Sequence, residues 1–400
     1  MMDTATIAPV LIAGQWREAQ RRGVFQASDP QAGVPLPARF PVSSWDDCEA
    51  ALTSAAEAAR TLRSLSGERL AEFLEVYAER IERRSAELVA CAHAETGLPA
   101  SPRLRDVELP RTTSQLRQAA QAARDASWRL ATLDTAANIR SWLAPLGPVV
   151  VFGPNNFPFA FGSISGGDFA AAVAAGNPVI AKANSSHPAT TRLLAAEAQA
   201  AALQTRLPAG TVQLIYRITH ADGERLVSDP RTGATGYTGS RGAGLALKAA
   251  ADRAGKPIYL ELSSVNPVVI LPGALAARAD QIVEEFTTSC LLGTGQFCTN
   301  PGLVLLIGGA ASEGFLAAAA ARFAAAPVGP LLSAGVQRTL QESLGQLLAA
   351  GAQRLTEDRV PDQPGFRCAN TLLRVDGTTF LRSPEAFQRE AFGNAALVVV

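Results

Sequence analysis

Pro148-Val149-Val150-Val151-Phe152-Gly153-Pro154-Asn155-Asn156-Phe157-Pro158, followed by Gly176-Asn177-Pro178-Val179-Ile180-Ala181-Lys182-Ala183-Asn184-Ser185-Ser186-His187-Pro188, is the stretch that decides the fold. Each segment is a short apolar run that ends in glycine, proline or asparagine, the pattern of a buried strand entering a loop. Between them, residues 169–175 read as a helix that Gly176-Asn177-Pro178 stops. Ser186, with Pro188 near the first turn, starts the next helix over 190–203, and 212–216 is the following strand. Strands at 149–152 and 179–183 that alternate with helices must run parallel. The fold class is therefore α/β, with a doubly wound sheet.

The alternation continues downstream. Gly233, Gly236 and Gly239 surround another short strand, and a helix over 245–254 is ended by Gly255 and Pro257. Residues 257–262 and 265–271 read as strands, 280–291 as a helix and 303–307 as a buried strand. The alanine-biased stretch 310–326 spaces Phe315, Leu316 and Phe323 as a helix does. Upstream, after a strand-like opening at 10–16, amphipathic helices over 45–63 and 67–91 form a helical cover.

A chain of 400 residues exceeds one ordinary core, so two domains with a small third element are expected. Lysine plus arginine number 36 and aspartate plus glutamate 36, a balance that gives no reason to expect nucleic acid or an anionic membrane as partner. A small polar substrate is the default. Residues 1–10 lack the basic start and long apolar core of a signal peptide, and the later apolar stretches are broken by charges, so a soluble, cytoplasmic protein without a membrane segment is expected. The five cysteines, Cys48, Cys91, Cys290, Cys298 and Cys368, have no CxxC spacing and only three histidines accompany them. Neither a metal site nor a disulfide framework is expected.

The densest chemical signal is Gly293-Thr294-Gly295-Gln296-Phe297-Cys298-Thr299-Asn300-Pro301-Gly302, a glycine-flanked loop between a helix and a strand. A thiol there can meet substrate, and a nearby backbone N–H can face the oxyanion formed when a thiolate attacks a carbonyl. An arbitrary free cysteine is more often a buried packing residue. Upstream, Glu261 interrupts an apolar strand end in Tyr259-Leu260-Glu261-Leu262-Ser263-Ser264, where a carboxylate in a partly apolar cleft can act as a general base; a surface glutamate is the even alternative. Asn155 and Asn156 follow the first parallel strand, where such folds bind ligands. An asparagine amide can donate to an oxyanion there, or simply make turn bonds.

The loop Thr238-Gly239-Ser240-Arg241-Gly242-Ala243-Gly244 lies between a strand and a helix, so its backbone N–H groups can hold a pyrophosphate, although it is not the GxGxxG fingerprint. Lys182 closes the second parallel strand, where a cation can reach a nucleotide; a snorkelling surface lysine is the ordinary alternative. Arg111 and Arg117 can meet a substrate carboxylate, against the commoner reading of solvated helix charges.

Together these residues resemble the aldehyde dehydrogenase superfamily, from Leu11-Ile12-Ala13-Gly14-Gln15-Trp16 to Glu390-Ala391-Phe392-Gly393. The resemblance implies Cys298 as nucleophile, Glu261 as base for deacylation and Asn156 as oxyanion donor. It implies Lys182 and Ser185 at the adenosine ribose, Gly239 and Ser240 at the pyrophosphate, and Glu390 with Phe392 at the nicotinamide ribose and ring. Lys182-Ala183-Asn184-Ser185-Ser186-His187-Pro188, together with Glu261-Leu262-Ser263-Ser264-Val265-Asn266-Pro267 and Gly295-Gln296-Phe297-Cys298-Thr299, is most similar to the NADP-using branch that includes 2,5-dioxopentanoate (α-ketoglutarate semialdehyde) and fatty-aldehyde dehydrogenases. NADP is the implied cofactor, with NAD possible, and an aldehyde the substrate. The usual Leu-Gly-Gly after the glutamate is here Leu262-Ser263-Ser264.

The resemblance further implies a Rossmann-type NAD(P)-binding domain over 1–127 and 147–260, an oligomerisation arm at 128–146, and an α/β catalytic domain over 261–400. Family members continue beyond the position of Val400, so a C-terminally truncated catalytic domain, with 397–400 as a strand cut short at a sheet edge, is expected. A homo-oligomer is expected where the C-terminal part is present. An acylating or acyl-phosphate reductase is the rival enzyme class, which has no need of the base that Glu261 supplies. An inactive nucleotide-binding fragment is the rival outside enzymes.

Overall fold

The structure, a computed structural model, describes residues 6–359 and 361–400. The chain divides into two units: one runs to Ser28 and resumes over Pro35–Leu262, and the other comprises Asp29–Val34 and Ser263–Val400.

The first unit is built on a seven-stranded sheet. Its N-terminal strands are β1 (Val10–Ile12) and β2 (Gln15–Arg17), and beyond them come the paired strands β3 (Arg21–Asp29) and β4 (Val34–Ser43). A small hairpin, β5 (Thr132–Asp134) and β6 (Ile139–Ser141), precedes β7 (Val149–Phe152), β8 (Val179–Lys182), β9 (Val212–Ile215), β10 (Ala234–Thr238) and β11 (Ile258–Glu261). The sheet order is β11-β10-β7-β8-β9-β1-β2. The strands from β11 to β9 are parallel, with Val150 opposite both Ile180 and Thr235, and β1 joins β9 antiparallel through Leu11 and Leu214. After β9 the chain returns to the far side of β7 to add β10 and β11. The strand order therefore reverses between β7 and β10, the place where open α/β sheets bind ligands.

The helices are α1 (Trp45–Leu62), α2 (Gly67–Arg83), α3 (Ser85–Thr96), α4 (Leu109–Asp125), α5 (Gly167–Ala174), α6 (Pro188–Gln204), α7 (His220–Ser228) and α8 (Arg241–Arg253). Local chemistry sets their starts: Ser44 Oγ accepts from the Asp46 N–H at α1, and Thr219 Oγ1 from the Asp222 N–H at α7. The single helix expected over 67–91 is two, because Arg84 leaves helical geometry at φ −100° and ψ 12°. Its guanidinium pairs with Glu87 and Glu197. One non-helical residue hardly disturbs the apolar rhythm, and Leu74, Tyr77 and Ile81 before the break and Leu88 and Ala92 after it are all buried. A π-helical stretch, Ala100–Glu108, leads into α4 and has no counterpart in the periodicity.

The second unit carries a five-stranded sheet of β12 (Pro267–Ile270), β13 (Leu303–Leu306), β14 (Gln353–Arg354), β15 (Thr371–Val375) and β16 (Ala395–Val399), in the order β12-β13-β16-β15-β14. It packs with α9 (Pro272–Leu291), α10 (Ala310–Ala325) and α11 (Ala334–Ala349). Phe286 meets the rings of Phe315 and Phe323 at 5.6 and 5.9 Å. The expectation that the last strand lies at a sheet edge is corrected. β16 pairs in parallel with β13 on one side and β15 on the other, and all of its residues are buried. The edges are β14 and β12, and in β12 Val268 and Val269 are exposed. α9 starts at Pro272 rather than near 280 and breaks helical geometry at Arg278, φ −154°.

Residues 128–146 hold the β5–β6 hairpin, which exposes Leu130, Leu133, Ile139 and Trp142. Among the described residues no helix is long and apolar enough to cross a membrane.

Tyr77 lies at the centre of the helical layer, in ring contact with Phe73 and Phe169 and fully buried. Its hydroxyl donates to the carbonyls of Ile164 and Leu194, at 3.1 and 3.2 Å. Tyr77→Phe keeps the packing but leaves buried carbonyls short of a donor, so denaturant titration is expected to show a loss of about 1–3 kcal/mol. A neutral effect contradicts the structural role given to that hydroxyl.

Candidate active site

The loop that leaves β7 enters the interior of the first unit, where its backbone groups must find partners. Gly153 starts it without a side chain, since a Cβ there would sit 2.6 Å from the Ser163 nitrogen and 2.8 Å from the Phe161 oxygen. Asn184 Nδ2 donates to the Gly153 carbonyl at 3.0 Å, and His187 Nε2 to the Pro154 carbonyl at 2.9 Å. Arg103 Nη2 donates to the Asn156 carbonyl at 3.0 Å. The Glu108 carboxylate, fully buried, accepts from the N–H groups of Phe159 and Ala160 at 2.8 and 3.0 Å and pairs with Arg103. Burial pushes the Glu108 carboxyl up, against the pull of Arg103 and the two amides. Asn156 is thus buried on a backbone clamped from four sides.

Lys182 stands at the end of β8, in register with Phe152 of β7. Half-buried, it has no carboxylate within ion-pair distance among the described residues. Burial, aided by repulsion from Arg217, lowers its ammonium to about 8. Arg217 Nε donates to Ser185 Oγ at 3.2 Å, and the guanidinium lies 4.4 Å from the Phe25 ring centroid. These groups gather cations and hydroxyl groups around the β8 and β9 strand ends.

Gly239 and Ser240 follow β10. The Gly239 N–H is spent on the Glu261 carbonyl at 3.0 Å, so the donors open to a pyrophosphate are the first N–H groups of α8, for which Ser240 is the N-cap. Glu261 itself ends β11 with its side chain exposed, not in the partly apolar cleft expected of it.

In the second unit the cysteine loop turns through three consecutive left-handed residues, Gly293, Thr294 and Gly295. Gly295 is required: a Cβ there would collide with the Gly393 carbonyl oxygen. Gln296 Oε1 accepts from the Leu332 N–H at 2.8 Å, and Asn300 Nδ2 donates to the Gly295 carbonyl at 2.7 Å. The Cys298 carbonyl accepts from Ser264 Oγ at 2.6 Å and Asn266 Nδ2 at 2.7 Å, and the residue is half-buried. By contrast, Cys48, Cys290 and Cys368 are buried, and burial pushes their thiols up. The Ser264 N–H also donates to Glu390 Oε1 at 3.3 Å, so the serine beside β12 touches both the cysteine loop and Glu390. Burial pushes the Glu390 carboxyl up, while Ser263 and Ser264 pull it down. Phe392 and Glu390 line one small cavity with Phe297 and Ser264.

The sequence profile of the aldehyde dehydrogenase family matches residues 16–399. The chain belongs to the aldehyde dehydrogenase family. It is 40% identical to α-ketoglutaric semialdehyde dehydrogenase 2 of Azospirillum brasilense, over 97% of this chain and 76% of that protein. It is 34% identical to the α-ketoglutaric semialdehyde dehydrogenase of Acinetobacter baylyi, over 90% of this chain and 70% of that protein. Among solved structures, an aldehyde dehydrogenase C variant from Pseudomonas syringae with NAD+ and octanal superposes with a TM-score of 0.85 at 21% identity, covering 100% of this chain and 81% of that one. An aldehyde dehydrogenase from Bartonella henselae gives 0.84 at 21%, covering 98% and 81%.

Within this aldehyde dehydrogenase, Asn156, Lys182, Ser185, Gly239, Ser240 and Glu261 lie in the first unit, and Cys298, Glu390 and Phe392 in the second. The groups that hold them were not singled out in the sequence. Arg103 and Glu108 come from a π-helical stretch with no pattern to announce it, and Ser264, Asn266 and Asn300 act through side chains indistinguishable from ordinary loop polarity.

His187 supplies a pH test of the clamp. Burial holds its imidazole down at about 4, against an ordinary 6.5, so the folded chain stays neutral while the unfolded chain takes up a proton as pH falls. Its contribution is complete above the ordinary value and is lost as pH falls from about 6.5 towards 4. The stability advantage of the wild type over His187→Asn is expected to shrink by about 2 kcal/mol between pH 7 and pH 5. Parallel stability curves for the two proteins would refute it.

Proposed function

We propose that this aldehyde dehydrogenase oxidises 2,5-dioxopentanoate or a related semialdehyde to the carboxylate, with NADP as cofactor and a thioester on Cys298 as intermediate. The observation that carries the mechanism is Cys298, half-buried on a loop whose carbonyl Ser264 and Asn266 fix. The likeness to two α-ketoglutaric semialdehyde dehydrogenases over most of the chain supports the substrate class. The first unit serves the nucleotide and the second carries the nucleophile. The apolar hairpin at 128–146 is the arm for a homo-oligomer.

In this reading the Cys298 thiolate attacks the aldehyde carbon, a C–S bond forms, and the carbonyl pair moves onto oxygen, to which the Asn156 amide donates. Oxidation of that adduct, for which a bound nicotinamide supplies the hydride acceptor, leaves a thioester on Cys298. Glu261 then takes a proton from water as the water oxygen attacks the thioester carbon, the C–S bond breaks, and the Cys298 thiolate leaves. An exposed carboxylate suits that second step, since it meets water directly. Cys298→Ala is expected to abolish aldehyde-dependent cofactor reduction, and Glu261→Gln to permit one rapid turnover followed by slow release. Stopped-flow absorbance distinguishes these; undiminished steady-state oxidation by either variant sinks the assignment.

For the cofactor, the reading is supported by the Ser185–Arg217 hydrogen bond and by Lys182, which meets no carboxylate among the described residues, where an acidic residue would repel a 2′-phosphate. A charge-assisted bond of this kind changes affinity by roughly 1.5–3 kcal/mol, so kcat/KM should favour NADP over NAD by at least about tenfold. Ser185→Glu should reverse the preference. Equal or better use of NAD by the wild type refutes it.

A further inference from the structure

We propose that Arg111 is the group that recognises the substrate carboxylate, a specificity determinant that rests on the semialdehyde reading above. Arg111 and Arg117 lie on the same helix, α4, and the structure separates them. Arg117 forms a two-pronged pair with Glu82, at 2.6 and 2.8 Å, and is spent. Arg103 is likewise engaged by Glu108 and by the Asn156 carbonyl. Arg111 is exposed and makes no ion pair or hydrogen bond among the described residues.

It is nonetheless held in place. Its Cζ lies 4.8 Å from the Phe161 ring centroid and 5.8 Å from that of Phe157, and the two rings meet edge-on at 4.7 Å. Phe157 is the residue after Asn156, so the guanidinium stands on the loop that carries the oxyanion donor. Stacking occupies the face of a guanidinium and leaves its in-plane N–H fork open, the geometry that grips a carboxylate. Nor does the charge serve the helix. No acidic residue in the first turn of α4 offsets it, and Glu108, just before that turn, is taken up by Arg103 and by the Phe159 and Ala160 amides. A short aldehyde with a carboxylate at its far end can therefore present each end to one side of the Phe157–Phe161 pair.

The test compares kcat/KM for 2,5-dioxopentanoate with that for pentanal in the wild type, Arg111→Ala, Arg111→Lys and, as control, Arg117→Ala. Arg111→Ala should lower the semialdehyde-to-pentanal ratio by about tenfold or more, chiefly through KM, and Arg111→Lys should restore it only in part. Arg117→Ala should keep the wild-type ratio. Calorimetric titration with 2-oxoglutarate, the carboxylate product, should show about tenfold weaker binding to Arg111→Ala, a readout independent of turnover. A wild type that prefers the semialdehyde while Arg111→Ala keeps its ratio overturns the inference alone. A wild type with no preference for the semialdehyde overturns the substrate reading and this inference with it.

Discussion

A carboxylate taken out of water costs several kcal/mol unless donors converge on it, and Glu108 meets that demand by gathering the loop after β7 around itself. Arg103 supplies the countercharge and the Phe159 and Ala160 amides supply two hydrogen bonds. The same arginine then reaches the Asn156 carbonyl, so the charge that neutralises Glu108 also fixes the residue proposed to face the oxyanion. His187 and Asn184, which follow β8, hold the start of the loop. The arrangement ties the loop after β7, the stretch 100–108 and the β8 loop to one another.

The second unit solves a similar problem with neutral groups. A chain that turns through three left-handed residues cannot satisfy its carbonyls by regular pairing, and the side-chain amides of Asn266, Gln296 and Asn300 do so instead. Ser264 adds a further constraint by joining the cysteine loop to Glu390. Family members with a glycine at that position have no hydroxyl to make the first of these bonds.

Cations in the first unit divide into those matched by carboxylates and those that are not. Arg84, Arg117, Arg124 and Arg231 are all paired. Among the described residues Lys182, Arg217 and Arg111 have no carboxylate partner, and they stand at the strand ends or loops that follow β8, β9 and β7 respectively. Together these three add positive potential where anionic groups of cofactor and substrate would be met.

Short apolar runs between glycines and prolines determined the parallel sheet, because a buried strand has few other compositions available to it; β7, β8, β9 and β10 all stand where that pattern put them. The glycine-framed cysteine and the family likeness were equally plain from residue order, since they depend on local spacing alone. Other features were decided in three dimensions. One residue, Arg84, ends a helix whose periodicity continues past it, and Val400 follows a strand that lies inside its sheet, because pairing partners are chosen among segments far apart in sequence. The spent Gly239 N–H, the exposed Glu261 and the contrast between Arg111 and Arg117 likewise depend on which distant groups arrive beside them. A residue type states what bonds it can make; only the folded chain states which of them are already made.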